Sequence, residues 1–354
     1  MTTSRRTLRW VIAHHPAHLF VRTAKKFQEE LEKECPGEFD IEIHTVFTYN
    51  NKYQNHPEFT LVPPRLDGLE HIHEEFIAMD GKLTKTTELT HWKGMKAKWQ
   101  GLFKGLRDGD FEITQTQVSI IGHNLDKNFH AIDLPFLFKD HDHVSRVLDG
   151  EIGDKLCNDL AERTDVRGLA FTYSGGFRVI GAKQSITNLT ELAKANLLTH
   201  TIHSDQLFQN VAANTIVKYN SDIKDLADMA EDDNGAVETT YIRFSGKHVF
   251  KTEHSMFTTT ILTGNKFWNT LTQDQQEAFL KVAKIVARAE REWSVADADQ
   301  YEKDAKAQGI SIIEISEEDR AKLKSASQSV YDNLDKFGID AGLVNQIIDK
   351  KTLH

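Results

Sequence analysis

Seventeen histidines in 354 residues make metal binding the first chemistry to weigh. His71 and His73, followed by Glu74 and Glu75, form the densest cluster. On a helix, residues two apart face different ways and cannot share an ion. His141 and His143 fall in a polar elbow and read as surface residues. His14 and His15 differ, because they end an opening strand, where ligands bind in open α/β sheets. Nucleophilic chemistry has no support: there is no G-x-S-x-G elbow, no H-E-x-x-H, and no cysteine beside a charged activator. Cys35 and Cys157 give neither a disulfide framework nor metal spacing and read as small buried residues. Gly175 and Gly176 follow a strand but lack the third glycine and lysine of a phosphate loop. No catalytic residue, metal site or cofactor is therefore nominated, and an enzyme is not expected.

Composition narrows the remaining classes. At 39% hydrophobic residues the chain can bury one large core or two moderate ones. A net charge of −10 argues against a nucleic-acid partner, which basic residues must neutralise. No apolar run approaches the roughly 20 residues that cross a bilayer, so no direct membrane insertion is expected.

The elements that must position any site are legible along the chain. Residues 7–13 alternate as a strand, 17–34 form an amphipathic helix with Phe20, Ala24, Phe27 and Leu31 on one face, and 39–47 alternate again. A helical connection of that length predicts parallel pairing. A polar segment at about 48–98, with a helix at 66–79, reads as an insertion. A helix ends at Gly109, a strand runs over 110–121, and residues 132–138 form a buried crossing from strand to turn at Pro135. Helical spacing follows at Val144, Val147, Leu148, Ile152 and Leu156. Strands are expected at 167–173, 177–181, 196–202, 236–240, 254–262 and 310–315, and helices at 186–194, 204–213 and 221–229. A pattern without internal Gly or Pro predicts one long helix over 272–308. Ser316 caps a further helix, and 340–354 reads as a tail.

The stretch 132–156, IDLPFLFKDHDHVSRVLDGEIGDKL, with the string LRDGDFEITQ before it and ITNLTELAK after it, resembles the solute-binding proteins of TRAP (tripartite ATP-independent periplasmic) transporters, of the C4-dicarboxylate-binding type. The resemblance covers roughly residues 7–335 apart from the insertion. It implies an α/β fold of two lobes, periplasmic-binding-protein-like (class II type), with mixed sheets flanked by helices and the long helix spanning both lobes. Lobe I would comprise 1–175 plus 258–302, and lobe II 176–257 plus 303–354. It further implies high-affinity capture of a small organic acid in an interlobe cleft for delivery to a TRAP-type membrane permease in the periplasm. Residues 1–6 are basic but run straight into a strand, so no secretory leader is read. A cytoplasmic ligand-sensing module with the same fold is the alternative.

Site residues follow from the same resemblance. The family's carboxylate-clamping arginine would lie on the strand after ITNLTELAK, where direct register places Leu198 and a slip reaches Thr199 or His200. No arginine stands in that strand, which predicts weak binding of simple dicarboxylates. Arg178 matches a position that makes a second anion contact, and Arg243 follows AVETT where polar contacts occur. Thr116 and Gln117 would present polar groups from their strand, and Tyr219 and Asn220 lie near an aromatic contact. With His14 and His15 these are the candidate ligand-binding residues.

Overall fold

The computed structural model describes residues 5–12, 17–53, 95–211, 213–217, 232–240 and 247–350. The helices read at 66–79 and 221–229, and most of the insertion, lie outside these residues. In chain order the strands are β1 (Arg6–Ile12), β2 (Phe39–Thr45), β3 (Ile113–Gln117), β4 (Val166–Phe177), β5 (Val179–Ala182), β6 (Asn196–Thr199), β7 (Asn214–Val217), β8 (Gly235–Thr239), β9 (His248–Lys251), β10 (Met256–Gly264) and β11 (Ser311–Glu314). They form two mixed sheets, ordered β2-β1-β3-β10-β4 and β11-β9-β5-β8-β6-β7. The chain divides into two compact units, one of residues 1–126, 148–174 and 259–292 and the other of 127–147, 175–258 and 293–354.

The first unit is built as its opening predicts. The helix Ala17–Glu34 connects β1 to β2, which pair in parallel from Arg6 against Phe39 to Ile12 against Thr45. Its apolar face is buried at Phe20, Ala24, Phe27 and Leu31. Trp10, Phe27, Phe39 and Phe279 meet edge to face at 5.4–5.7 Å, each pair adding about 0.5–1.5 kcal/mol beyond its buried area. Gly109 (φ +76°) ends the helix Met95–Asp108. The next strand is shorter than its sequence suggests. It stops at Gln117, and Val118–Asn124 is a helix. Residues 118–122, Val-Ser-Ile-Ile-Gly, are buried throughout, and so short a stretch does not distinguish strand from helix.

The second unit packs the helices Leu189–Leu192, Ile202–Gln209 and Glu317–Ala326 against its sheet through Leu189, Leu192, Leu207, Phe208 and Leu323. Ser316 caps the last of these, accepting from the Asp319 amide. The crossing at 132–138 belongs here and is not a strand. A 3-10 turn, Lys127–Asp133, leads into Pro135 and Phe136, whose φ of +57° is unusual for an aromatic residue. The Phe136 amide donates to His254 O at 2.7 Å, which fixes the elbow. The helical pattern beyond it resolves into two helices, His141–Leu148 and Glu151–Thr164. His143 is fully buried rather than exposed: its Nδ1 accepts from the Lys139 amide and its Nε2 donates to Ile347 O at 2.8 Å.

That last contact docks a helix, Ala341–Asp349, where a tail was expected; Asp340 caps it, and Leu343, Val344 and Ile347 are buried. Residues 127–147 fall in the second unit, which also holds Ile347, whereas the sequence predicts them in lobe I. The long helix is continuous over Gln273–Ala307. Its residues through Glu292 belong to the first unit and those from Trp293 to the second, earlier than the expected change at 302.

Candidate functional site

In the second unit a charged cluster forms where β4 hands over to β5. Between these strands stands Arg178, only 1% exposed. Its Nη1 donates to Asp133 Oδ1 and Ser255 Oγ, each at 3.0 Å, and its Nε lies 3.5 Å from Glu238 Oε1. The guanidinium sits over the Phe257 ring at 4.7 Å, a cation–π contact that suits a charge held away from water. The adjoining backbone is tight. Gly175 has φ +90°, and a Cβ there would meet Thr240 Cβ at 2.6 Å, so only glycine fits the turn.

Glu238 is the hub of this cluster. It extends from the same face of β8 as the core residue Ala236, two positions away. Its Oε1 accepts from Ser204 Oγ at 2.8 Å and His254 Nε2 at 3.0 Å, and its Oε2 accepts from the His200 amide at 2.6 Å. Burial alone would push Glu238 up, but the His254 hydrogen bond and the Arg178 charge outweigh it and hold the carboxyl well below the usual range. Burial dominates at Asp133, which Arg178 offsets only in part, and its pKa rises to about 6. Asp133 and Glu238, which pair with Arg178, are carboxylates of the protein itself.

The register of β6 against β8 fixes which face each of its residues takes. Leu198 pairs with Val237 and Leu197 with Ala236. Leu197 and Ala236 enter the core, so Leu198 lies on the opposite face of the sheet from Glu238. Thr199 is buried with its Oγ1 donating to Ile216 O at 3.3 Å. The structure therefore gathers Arg178 and His200 around Glu238, with Thr199 bonded to the neighbouring strand.

In the first unit, Thr116 and Gln117 are consecutive on β3 and consequently face opposite sides of the sheet; they oppose Thr260 and Thr259 of β10. Both are fully buried. Neither the Gln117 amide nor the Thr116 hydroxyl has a hydrogen-bond partner among the described residues, although burying such a group unpaired costs about 1–3 kcal/mol. Gln115, on the face of Gln117, instead donates to both carboxyl oxygens of Glu290 at 2.8 Å. Burial, only partly offset by donors such as Thr23 and Gln115, pushes Glu290 up to about 8.

His14, His15, Tyr219, Asn220 and Arg243 lie outside the described residues. Among the described residues no group of three or more His, Cys, Asp or Glu could hold a metal ion, and no helix is long and apolar enough to cross a membrane. Asp133, Ser204, Glu238 and His254 were not singled out from sequence. The available signal was an acidic residue at a core position of the AVETT strand.

A family profile described as bacterial extracellular solute-binding protein, family 7, matches residues 91–218 and 230–336. An uncharacterized protein of Haemophilus influenzae is 28% identical over 198 residues, 54% of this chain and 60% of that one, so the match spans about three fifths of that relative. The C4-dicarboxylate-binding protein DctB of Bacillus subtilis is 22% identical over 243 residues, 64% of this chain and 67% of that one. Among solved structures, the sugar acid binding protein DctPAm of Advenella mimigardefordensis, in complex with galactonate, is similar with a TM-score of 0.73 at 18% identity, covering 98% of each chain. A TRAP periplasmic solute binding protein of Shewanella oneidensis with bound succinate has a TM-score of 0.70 at 14% identity, covering 98% of this chain and all of that one.

Proposed function

Because the chain belongs to bacterial extracellular solute-binding protein family 7, we propose that it binds a small organic acid outside the cytoplasm and presents it to a TRAP-type membrane permease. Membership of that family over most of the described chain is the observation that carries this reading. The similar structures that hold galactonate and succinate support an acid as the ligand. The periplasm is the compartment this implies, and binding without turnover is the activity.

Within the organic acids, the residues favour a polyhydroxylated acid over a simple C4-dicarboxylate. Direct register places Leu198 at the clamp position and a slip reaches Thr199 or His200, none of them an arginine, and Arg178 is already matched by Asp133 and Glu238. Two arginines gripping two ligand carboxylates are therefore not on offer from these positions. A neutral amide such as Gln117, buried and without a hydrogen-bond partner among the described residues, suits a hydroxyl, to which it can both donate and accept. Arg178 and His200 serve this reading by ordering Glu238 and the turn around it, while Arg243, His14 and His15 are the candidates for the acid group.

A thermal-shift screen of aldonates, uronates and C4-dicarboxylates, followed by calorimetry on the hits, tests the ligand. Aldonates or uronates should give the large shifts, and a large shift with malate or succinate alone would overturn the polyhydroxy preference. Gln117→Leu should weaken the best ligand roughly five- to tenfold, the worth of one neutral hydrogen bond, without lowering the melting temperature. Unchanged affinity would remove Gln117 from the site.

A further inference from the structure

The chain passes between its two units at five places: after Asp126, before Leu148, after Ser174, before Thr259 and after Glu292. Inside the first unit, four of these passages are fastened to two adjacent side chains of the long helix. The first is Glu290, fully buried. Gln115 Nε2 reaches both of its carboxyl oxygens and also lies 2.7 Å from Thr172 Oγ1 and 3.3 Å from Thr259 Oγ1. Thr172 and Thr259 are themselves 2.5 Å apart through their hydroxyls. Thr172 stands just before the passage at Ser174, Thr259 is the first residue after its own, and Glu290 precedes the last.

The second side chain is Arg291, 5% exposed. Its Nη1 donates to Phe171 O at 2.8 Å, and its Nη2 pairs with Asp149 Oδ2 at 2.6 Å. Asp149 immediately follows the passage before Leu148. β4 is thus held by both residues, through Thr172 to the Gln115–Glu290 group and through Phe171 to Arg291.

Thr23 Oγ1 lies 2.9 Å from Leu19 O and 2.7 Å from Glu290 Oε2, yet a hydroxyl has one proton to give. If that proton serves Leu19 O, the other contact closes when Glu290 is a carboxylic acid donating to Thr23 Oγ1. A fully buried polar network costs more to assemble than an apolar filling of the same volume, and what it offers in exchange is a fixed geometry.

We propose that Glu290 and Arg291 are positioning residues that clasp four of the five passages to one rigid base in the first unit. Hydrogen–deuterium exchange by mass spectrometry on the full chain tests this against a plain core role. In Glu290→Ala, amides at 166–174, 259–264 and 286–292 should exchange about tenfold to a hundredfold faster, as loss of a buried hydrogen-bond partner allows, and should do so in step. Those of β1 and β2, in the same unit, should keep their protection. Glu290→Gln, which retains a donor toward Thr23, should show no such loosening.

Arg291→Gln should loosen 148–151 and the Phe171 region while sparing 259–264. Faster exchange spread evenly over the first unit, or confined to the helix alone, would overturn the proposal. Should Glu290→Ala fail to fold, the contrast between Arg291→Gln and Glu290→Gln decides in the same way.

Discussion

A buried carboxyl whose folded pKa is raised makes stability depend on pH in a calculable direction. Glu290 moves from 4.5 to about 8, so the folded protein holds a proton that the unfolded chain releases above its own pKa. Its contribution is fully present below about pH 4.5 and is lost as pH rises toward about 8. Each unit of separation corresponds to about 1.4 kcal/mol, so the swing across this window is of order 3–5 kcal/mol. Arg291 is the charged group that acts on this carboxyl, from the same helix; Thr23, Gln115 and Thr172 meet it from the packed elements as neutral groups.

Glu290→Gln replaces the acid with a group that is neutral at every pH and keeps both an acceptor and a donor. Urea denaturation of parent and variant at half-unit steps from pH 5 to 8.5 isolates the residue, because every other titrating group cancels in the difference. The parent should lose stability relative to the variant as pH rises, and the variant should be more stable by a few kcal/mol near pH 8. Parallel curves across the window would refute the buried-acid assignment and the proton count behind it.

Three further outcomes are expected. Arg178→Ala leaves Asp133 and Glu238 buried without their guanidinium and should cost about 3–5 kcal/mol in urea denaturation; a loss below 1 kcal/mol would mean that the cluster relaxes around water. Gly175→Ala must place a Cβ against Thr240 at a φ of +90°, and a loss of about 1–3 kcal/mol should appear as a lowered melting temperature. Burial pushes the Cys157 thiol up to about 12, so a thiol reagent at pH 8 should leave it unlabelled in the native protein and label it in urea; rapid native labelling would count against that burial.

Much of the first unit is legible in the sequence because its signals agree. The β1-helix-β2 opening alternates, turns amphipathic and alternates again, and the helix buries the apolar face it presents; within the strands burial spreads to both faces at Val11 and His44. Signals fail where burial is two-sided or tertiary. Residues 118–121, Val-Ser-Ile-Ile, are too few to show a period and are buried on all sides, so helix and strand look alike there. At Phe136 the chain takes a left-handed conformation that no aromatic side chain advertises, because the bond to His254 O comes from far along the sequence. His143 looked like one of many surface histidines, yet its ring bridges an amide and the last helix.

Arg178 was reached through the resemblance, but its two acidic partners were not, since Asp133 and Glu238 each sit in a run that otherwise reads as core. Thr116 and Gln117 both read as ligand contacts in the sequence, yet as consecutive strand residues they cannot serve one face.

Neither unit is a continuous length of chain: the first is finished only by residues 259–292 and the second only by residues up to the C-terminus. A ribosome that has made the first 250 residues has therefore released every strand of the opening β2-β1-β3 arrangement but not Thr259, Glu290 or Phe279, which complete its packing. Each unit therefore draws part of its packing from chain that lies beyond a stretch of the other, and a truncation before residue 259 would leave both incomplete.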